Sequence, residues 1–96
     1  MPDDAASEVR DNPSRHRFEL TVDGATAFVL YKRLADRVIL IHTEVPDALA
    51  GKGVGGRLAR GTLDAIRAEG IGLVPQCPFI AAYIGKHPEY RDLVVS

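Results

Sequence analysis

The sequence is poor in the residues that build cross-links, metal centres and membrane spans. Among its 96 residues are one cysteine (Cys77), one methionine and no tryptophan, and aromatic residues make up only 6%. A single thiol excludes an internal disulfide framework and a Cys-rich zinc module. It fits a reducing compartment, and a cytoplasmic location is expected. His16, His42 and His87 show neither HxH nor HExxH spacing, so no metal site is expected. Charge of one sign is also lacking. Lys plus Arg is 12 and Asp plus Glu is 13, a formal net charge of −1. The global positive field of a nucleic-acid binder is therefore absent. No apolar run approaches the ~20 residues of a membrane span. The opening stretch, MPDDAASEVRDNPSR, begins with acids and has no apolar centre, unlike a secretory signal.

What remains is an ordinary globular balance, 46% hydrophobic and 26% charged, at the length of one domain with one small core. Residues 1–15 carry few apolar side chains and read as a mobile tail, leaving 16–96 as the folded domain. Phe18, Leu20 and Val22 alternate with polar residues as in a half-buried strand. Asp23-Gly24 is a two-residue hairpin signal, and Ala25 to Lys32 reads as the return strand. After a turn near Ala35-Asp36, the run Val38 to Val45 predicts a central strand covered on both faces. Val54, Leu58, Ala65 and Ile66 then recur at helical spacing up to a Gly70 stop. Ile71 to Val74 is a short strand, parallel to the previous one because a helix joins them. Cys77 and Pro78 take the N-cap and first position of a second helix, which carries Phe79, Ile80, Tyr83 and Ile84 and ends before Pro88. The expected class is α/β (α+β): an antiparallel meander followed by a β-α-β-α unit.

The segment Ala50-Gly51-Lys52-Gly53-Val54-Gly55-Gly56-Arg57 opens the first helix. Each glycine inside a helix costs about 0.5–1 kcal/mol relative to alanine, so bare backbone must be required here. One reason is a phosphate held by N–H groups that lack intrahelical partners; the other is close packing of helix on sheet. The charges favour the phosphate. First turns normally hold acids, whereas Lys52, Arg57 and Arg60 stand here and the first acid is Asp64. No Lys-Ser or Lys-Thr follows the glycines, which excludes a Walker A loop. Gly51, Gly53 and Gly56 spell GxGxxG, but Pro46 to Ala50 separate them from the strand and the next strand ends in Pro75-Gln76. The dinucleotide-binding context is missing.

An apolar strand, a short link and a K-G-x-G-G helix start resemble motif A of the GNAT superfamily, the acetyl-CoA-dependent N-acetyltransferases. In that family a Gln/Arg-x-x-Gly-x-Gly/Ala pattern holds the CoA pyrophosphate on backbone amides. Gly53 and Gly55 take the glycine positions, and Ala50 stands at the Gln/Arg position. HTEVPDALAGKGVGGRL followed by CPFIAAYIGKHPEY is similar to the small single-domain, YjdJ-type members, with HTEVP, GKGVG, CPF and HPEY in the same order. The resemblance spans about residues 17–95. It implies a truncated GNAT-like fold with the phosphate-binding loop at the first helix N-terminus, acetyl-CoA as co-substrate, no metal, and an amine acceptor. The implied cofactor contacts are Val45, Gly51, Lys52, Gly53, Val54, Gly55, Gly56 and Arg57.

The candidates for chemistry flank this loop. His42 and Glu44 lie two apart and share one face of a strand, at the end where ligands of open α/β sheets bind. Transfer to an amine needs a base. The resemblance favours Glu44, with His42 as substitute or orienting partner; a purely structural pair is the alternative. Cys77 reads either as a small buried hydrophobe or as a thiolate favoured by its N-cap position. The resemblance implies that Tyr83 protonates the departing CoA thiolate, although Ile84 could take that slot and Tyr83 could simply pack. Tyr90 reads as a packing residue. Three functions compete: an acetyl-CoA-dependent N-acetyltransferase, a CoA-binding module without transferase activity, and an acyl-cysteine enzyme using Cys77 with His42 or His87. No nucleic-acid or membrane partner is expected, and the oligomeric state is left open.

Overall fold

The computed structural model describes residues 8–95. Five strands form one sheet among them, in the order β1-β2-β3-β4-β5: β1 (Arg10–Asn12), β2 (Arg17–Val22), β3 (Ala25–Arg33), β4 (Arg37–Glu44) and β5 (Gly72–Pro75). Helix α1 (Val54–Glu69) joins β4 to β5, and α2 (Pro78–Lys86) follows. The first four strands are an antiparallel meander, and β4 pairs with β5 in parallel. Asp23 and Gly24 both have positive φ, 51° and 80°, as a tight two-residue hairpin turn requires.

Two expectations change. The assumed tail reached residue 15, yet Arg10–Asn12 pairs with β2 from Arg10 opposite Glu19 to Asn12 opposite Arg17. Polar side chains tie it down: the Tyr31 hydroxyl donates to Asp11, and Arg33 bonds the same carboxylate at 3.0 Å. Residues 1–7 of that assumed tail lie outside the described residues. Nor is β4 covered on both faces. Leu58, Leu63 and Ile66 of α1 and Ile80 and Ile84 of α2 join one core with Phe18, Leu20, Val29, Leu40 and Leu73. Both helices therefore lie on one face of the sheet. On the other face Phe28 and Leu30 are half-buried, and Ile41 is 43% exposed.

A bulge explains Ile41. Leu30 faces His42 but Tyr31 faces Leu40, so Ile41 is the extra residue on β4. Before the bulge Val38 and Leu40 point to the core. After it Thr43, opposite the buried Val29, takes the core side. His42 and Glu44 pair with Leu30 and Phe28 and so point to the open face.

Candidate active site

The pairing of β4 with β5 stops early. It runs from Arg37 opposite Gly72 to Leu40 opposite Pro75, whereas β4 remains paired with β3 out to Glu44. Pro75 then turns the chain into α2, and the Cys77 amide donates to the Leu40 carbonyl at 2.9 Å. Beyond that bond the two strands part, leaving a fork with one edge of β4 free on the β5 side. The Thr43 hydroxyl and the Cys77 thiol meet across its base at 3.2 Å. Cys77 is 2% exposed. His42 Nε2 lies 3.1 Å from a Glu44 carboxylate oxygen, and both side chains are more than half exposed. Val45, which follows β4, packs against the core.

From the fork the chain runs through a 3-10 turn (Asp47–Leu49) into the glycine segment. Gly51 and Gly53 have φ of 78° and 72°, a left-handed conformation that side chains with a Cβ resist. Gly53 stands at the N-cap without a side-chain cap, and the first turn of α1 holds no acid. The first intrahelical bond runs from the Arg57 amide to the Gly53 carbonyl at 3.2 Å. The N–H groups of Val54, Gly55 and Gly56 therefore have no acceptor within the helix. They sit at its positive end.

The other two glycines of the segment differ in what surrounds them. A Cβ on Gly55 would stand 2.9 Å from the Phe79 ring, whereas one on Gly56 would meet nothing within 4 Å. Gly55 lets α2 approach α1; Gly56 leaves open space above the helix start. That space is a cavity of about 370 Å3 lined by Gly53, Gly56, Arg57, Arg60, Tyr83 and His87. Arg57 is paired with the Glu8 carboxylate and Lys52 with Asp23. Carboxylates thus already rest against two cations of the segment.

Tyr83 lies in this cavity wall. Burial raises its pKa, with Arg60 opposing the shift. Its ring stacks on His87 with centroids 3.9 Å apart and planes at 15°. Phe79, Tyr83 and His87 recur at i, i+4 and i+8, so one stripe of α2 faces the start of α1. Tyr83 is among the sequence candidates; its place in one stripe with Phe79 and His87, for which the four-residue spacing was the available signal, and Thr43 at the fork were not. Tyr90 is buried and its hydroxyl donates to Asp64 at 2.7 Å, the packing role read from the sequence. Among the described residues no group of three His, Cys, Asp or Glu side chains could hold a metal.

Comparison with known proteins agrees with this arrangement. A family model described as GCN5-related N-acetyl-transferase matches residues 17–93. The chain belongs to the GCN5-related N-acetyltransferase family. Protein NATD1 of Gallus gallus is 32% identical over 84 residues, 84% of this chain and 76% of the relative. Protein NATD1 of Homo sapiens is 32% identical over 83 residues, 83% of this chain and 74% of the relative. The solution structure of a GCN5-like protein from Staphylococcus aureus superposes with a TM-score of 0.67 at 26% identity, covering 93% of this chain and 88% of that one. The fold is thus the small GNAT fold, in which the fork and the glycine start of α1 stand side by side. No described helix is long and apolar enough to cross a membrane.

Proposed function

We propose that the protein is an acetyl-CoA-dependent N-acetyltransferase acting on an amine, in the cytoplasm. The observation that carries this reading is the uncapped glycine start of α1, opening on a cation-lined cavity beside the β4–β5 fork. The residues fit acetyl-CoA. Free N–H groups and arginines suit a pyrophosphate, Gly56 leaves room for it, and the free edge of β4 at the fork offers backbone groups to an extended amide chain. Gly51 to Arg57 would hold the phosphates and Val45 would border the acyl arm. The co-substrate supplies an acetyl group already activated as a thioester.

The protein's own contribution is a proton acceptor and a fixed approach. Glu44 takes the proton that the acceptor ammonium must shed, and His42, at 3.1 Å, holds the carboxylate in place. The amine nitrogen gains the acetyl group as the C–S bond breaks, and the sulfur leaves with a proton from solvent. Cys77 is buried and bonded to Thr43, which favours direct transfer over an acyl-cysteine route. A CoA-binding role without transfer is the second reading, favoured by the exposure of His42 and Glu44 to water. Incubation with acetyl-CoA and a panel of amines, following thiol release, separates the two. Transfer predicts amine-dependent release, unaffected in Cys77→Ser, and no acetylated protein when amine is withheld. Acetylated Cys77 by intact mass would support the acyl-cysteine route, and absence of release with every amine would support binding alone.

A further inference from the structure

Tyr83 on α2 and His87, the residue that caps its C-terminal end, stand four residues apart and stack face to face. The stack is held in place. His87 Nδ1 lies 2.9 Å from the Tyr83 carbonyl, an acceptor only, so this nitrogen carries the proton. The Tyr83 and Tyr90 ring centroids lie 6.3 Å apart, with the planes tilted by 38°. Tyr83 also divides two hollows. On one side is the cavity shared with Gly53, Gly56, Arg57, Arg60 and His87. On the other is one of about 280 Å3 lined by Phe79, Ala82, Tyr83 and Lys86. Neither is lined by Thr43 or Cys77, which mark the fork. A proton donor to the departing sulfur belongs at the fork. A flat, pre-ordered aromatic pair flanked by Arg60 and Lys86 suits a different ligand: a planar base carrying a phosphate.

We infer that the Tyr83–His87 stack is the recognition platform for the 3′-phosphoadenosine end of CoA, with Arg60 directed at the 3′-phosphate. The inference rests on the proposed use of acetyl-CoA. With the pyrophosphate on the Val54–Gly56 amides, the acyl arm runs to the fork and the nucleotide arm runs the opposite way, toward the stack. Arg60 lies one helical turn beyond Gly56, roughly 6 Å along α1, within reach of a phosphate on that arm. Tyr83 thereby acts through its ring, and its hydroxyl is dispensable.

Calorimetric titration of the full chain with CoA, dephospho-CoA and 4′-phosphopantetheine tests this. Loss of an aromatic partner for a base weakens binding by roughly ten- to a hundredfold. Tyr83→Ala and His87→Ala are each expected to show that loss for CoA and to bind 4′-phosphopantetheine within about twofold of the parent protein. Tyr83→Phe, which keeps the ring, is expected to bind CoA as the parent protein does. Arg60→Ala is expected to bring the CoA to dephospho-CoA affinity ratio close to one. Equal losses for CoA and 4′-phosphopantetheine, or none for either, would overturn the platform, as would a parent protein that binds both equally well. A Tyr83→Phe variant that binds CoA but has lost turnover would return the hydroxyl to proton donation. If Tyr83→Ala does not fold, His87→Ala, at the end of α2, carries the same test. A parent protein that binds neither ligand would instead overturn the acetyl-CoA reading itself.

Discussion

The two ends of α1 are built differently. At its C-terminal end the helix is closed by groups of this chain. Gly70 adopts φ 74° and its amide bonds the Arg67 carbonyl. Arg67 complements the dipole and is paired with Asp92, while bonding the Glu89 carbonyl. Glu69 accepts from Arg33 through both oxygens. The N-terminal end is not closed in this way: no cap, no acid in the first turn, glycines where helix formers would serve, and Arg57 against the dipole. One end is closed by its own side chains; the other keeps its first amides without an acceptor in the helix, as the proposed anion site requires. Stability and binding should therefore separate when each end is altered.

The largest effect is expected at the fork that adjoins the open end. Glu44→Gln should lower turnover by roughly 10²–10⁴, the usual contribution of a positioned base, while calorimetry finds CoA affinity intact. Next, Gly56→Asp should weaken CoA by about a hundredfold, because a carboxylate would occupy the anion position. Its melting temperature should hold or rise, since a Cβ there meets nothing and an acid suits a first turn. Gly72→Ala, at the closed end, should do the reverse. Its Cβ would collide with the Val95 side chain and stand 3.2 Å from the Leu93 carbonyl. Overpacking of this kind costs about 1–3 kcal/mol, which thermal unfolding would register as a drop of several degrees with CoA affinity unchanged. The smallest effect is expected for Tyr90→Phe. Removing the hydroxyl that donates to Asp64 should cost about 1 kcal/mol, again without touching CoA binding.

This contrast also explains what the sequence disclosed. The meander, the Asp23-Gly24 turn, the Gly70 stop and the Cys77-Pro78 helix start are written in local rules, and each is present in the fold. The misplaced cations of the glycine segment were legible for the same reason: they break a local rule. What depended on pairing was hidden. The bulge at Ile41 is a property of register between β3 and β4, so four apolar residues in a row suggested a strand covered on both sides. Arg10–Asn12 carries no apolar pattern, because its order comes from Asp11 bonding Tyr31 and Arg33 across the sheet. Gly55 and Gly56 look alike in sequence and differ only through Phe79, which reaches Gly55 from another helix. The resemblance makes Tyr83 a proton donor; its stacking on His87, one turn further on at the end of the same helix, shows in the sequence only as a four-residue spacing.

The central claim is that the N-terminal end of α1 is an anion cradle. Titration of the isotope-labelled protein with CoA, followed through its backbone amide resonances, tests it most directly. The account predicts the largest shifts at Val54, Gly55 and Gly56, with smaller ones at Tyr83 and His87, and little change at Gly70 and Gly72. Saturable shifts centred on Gly70 and Gly72, or none at the three α1 amides, would contradict it.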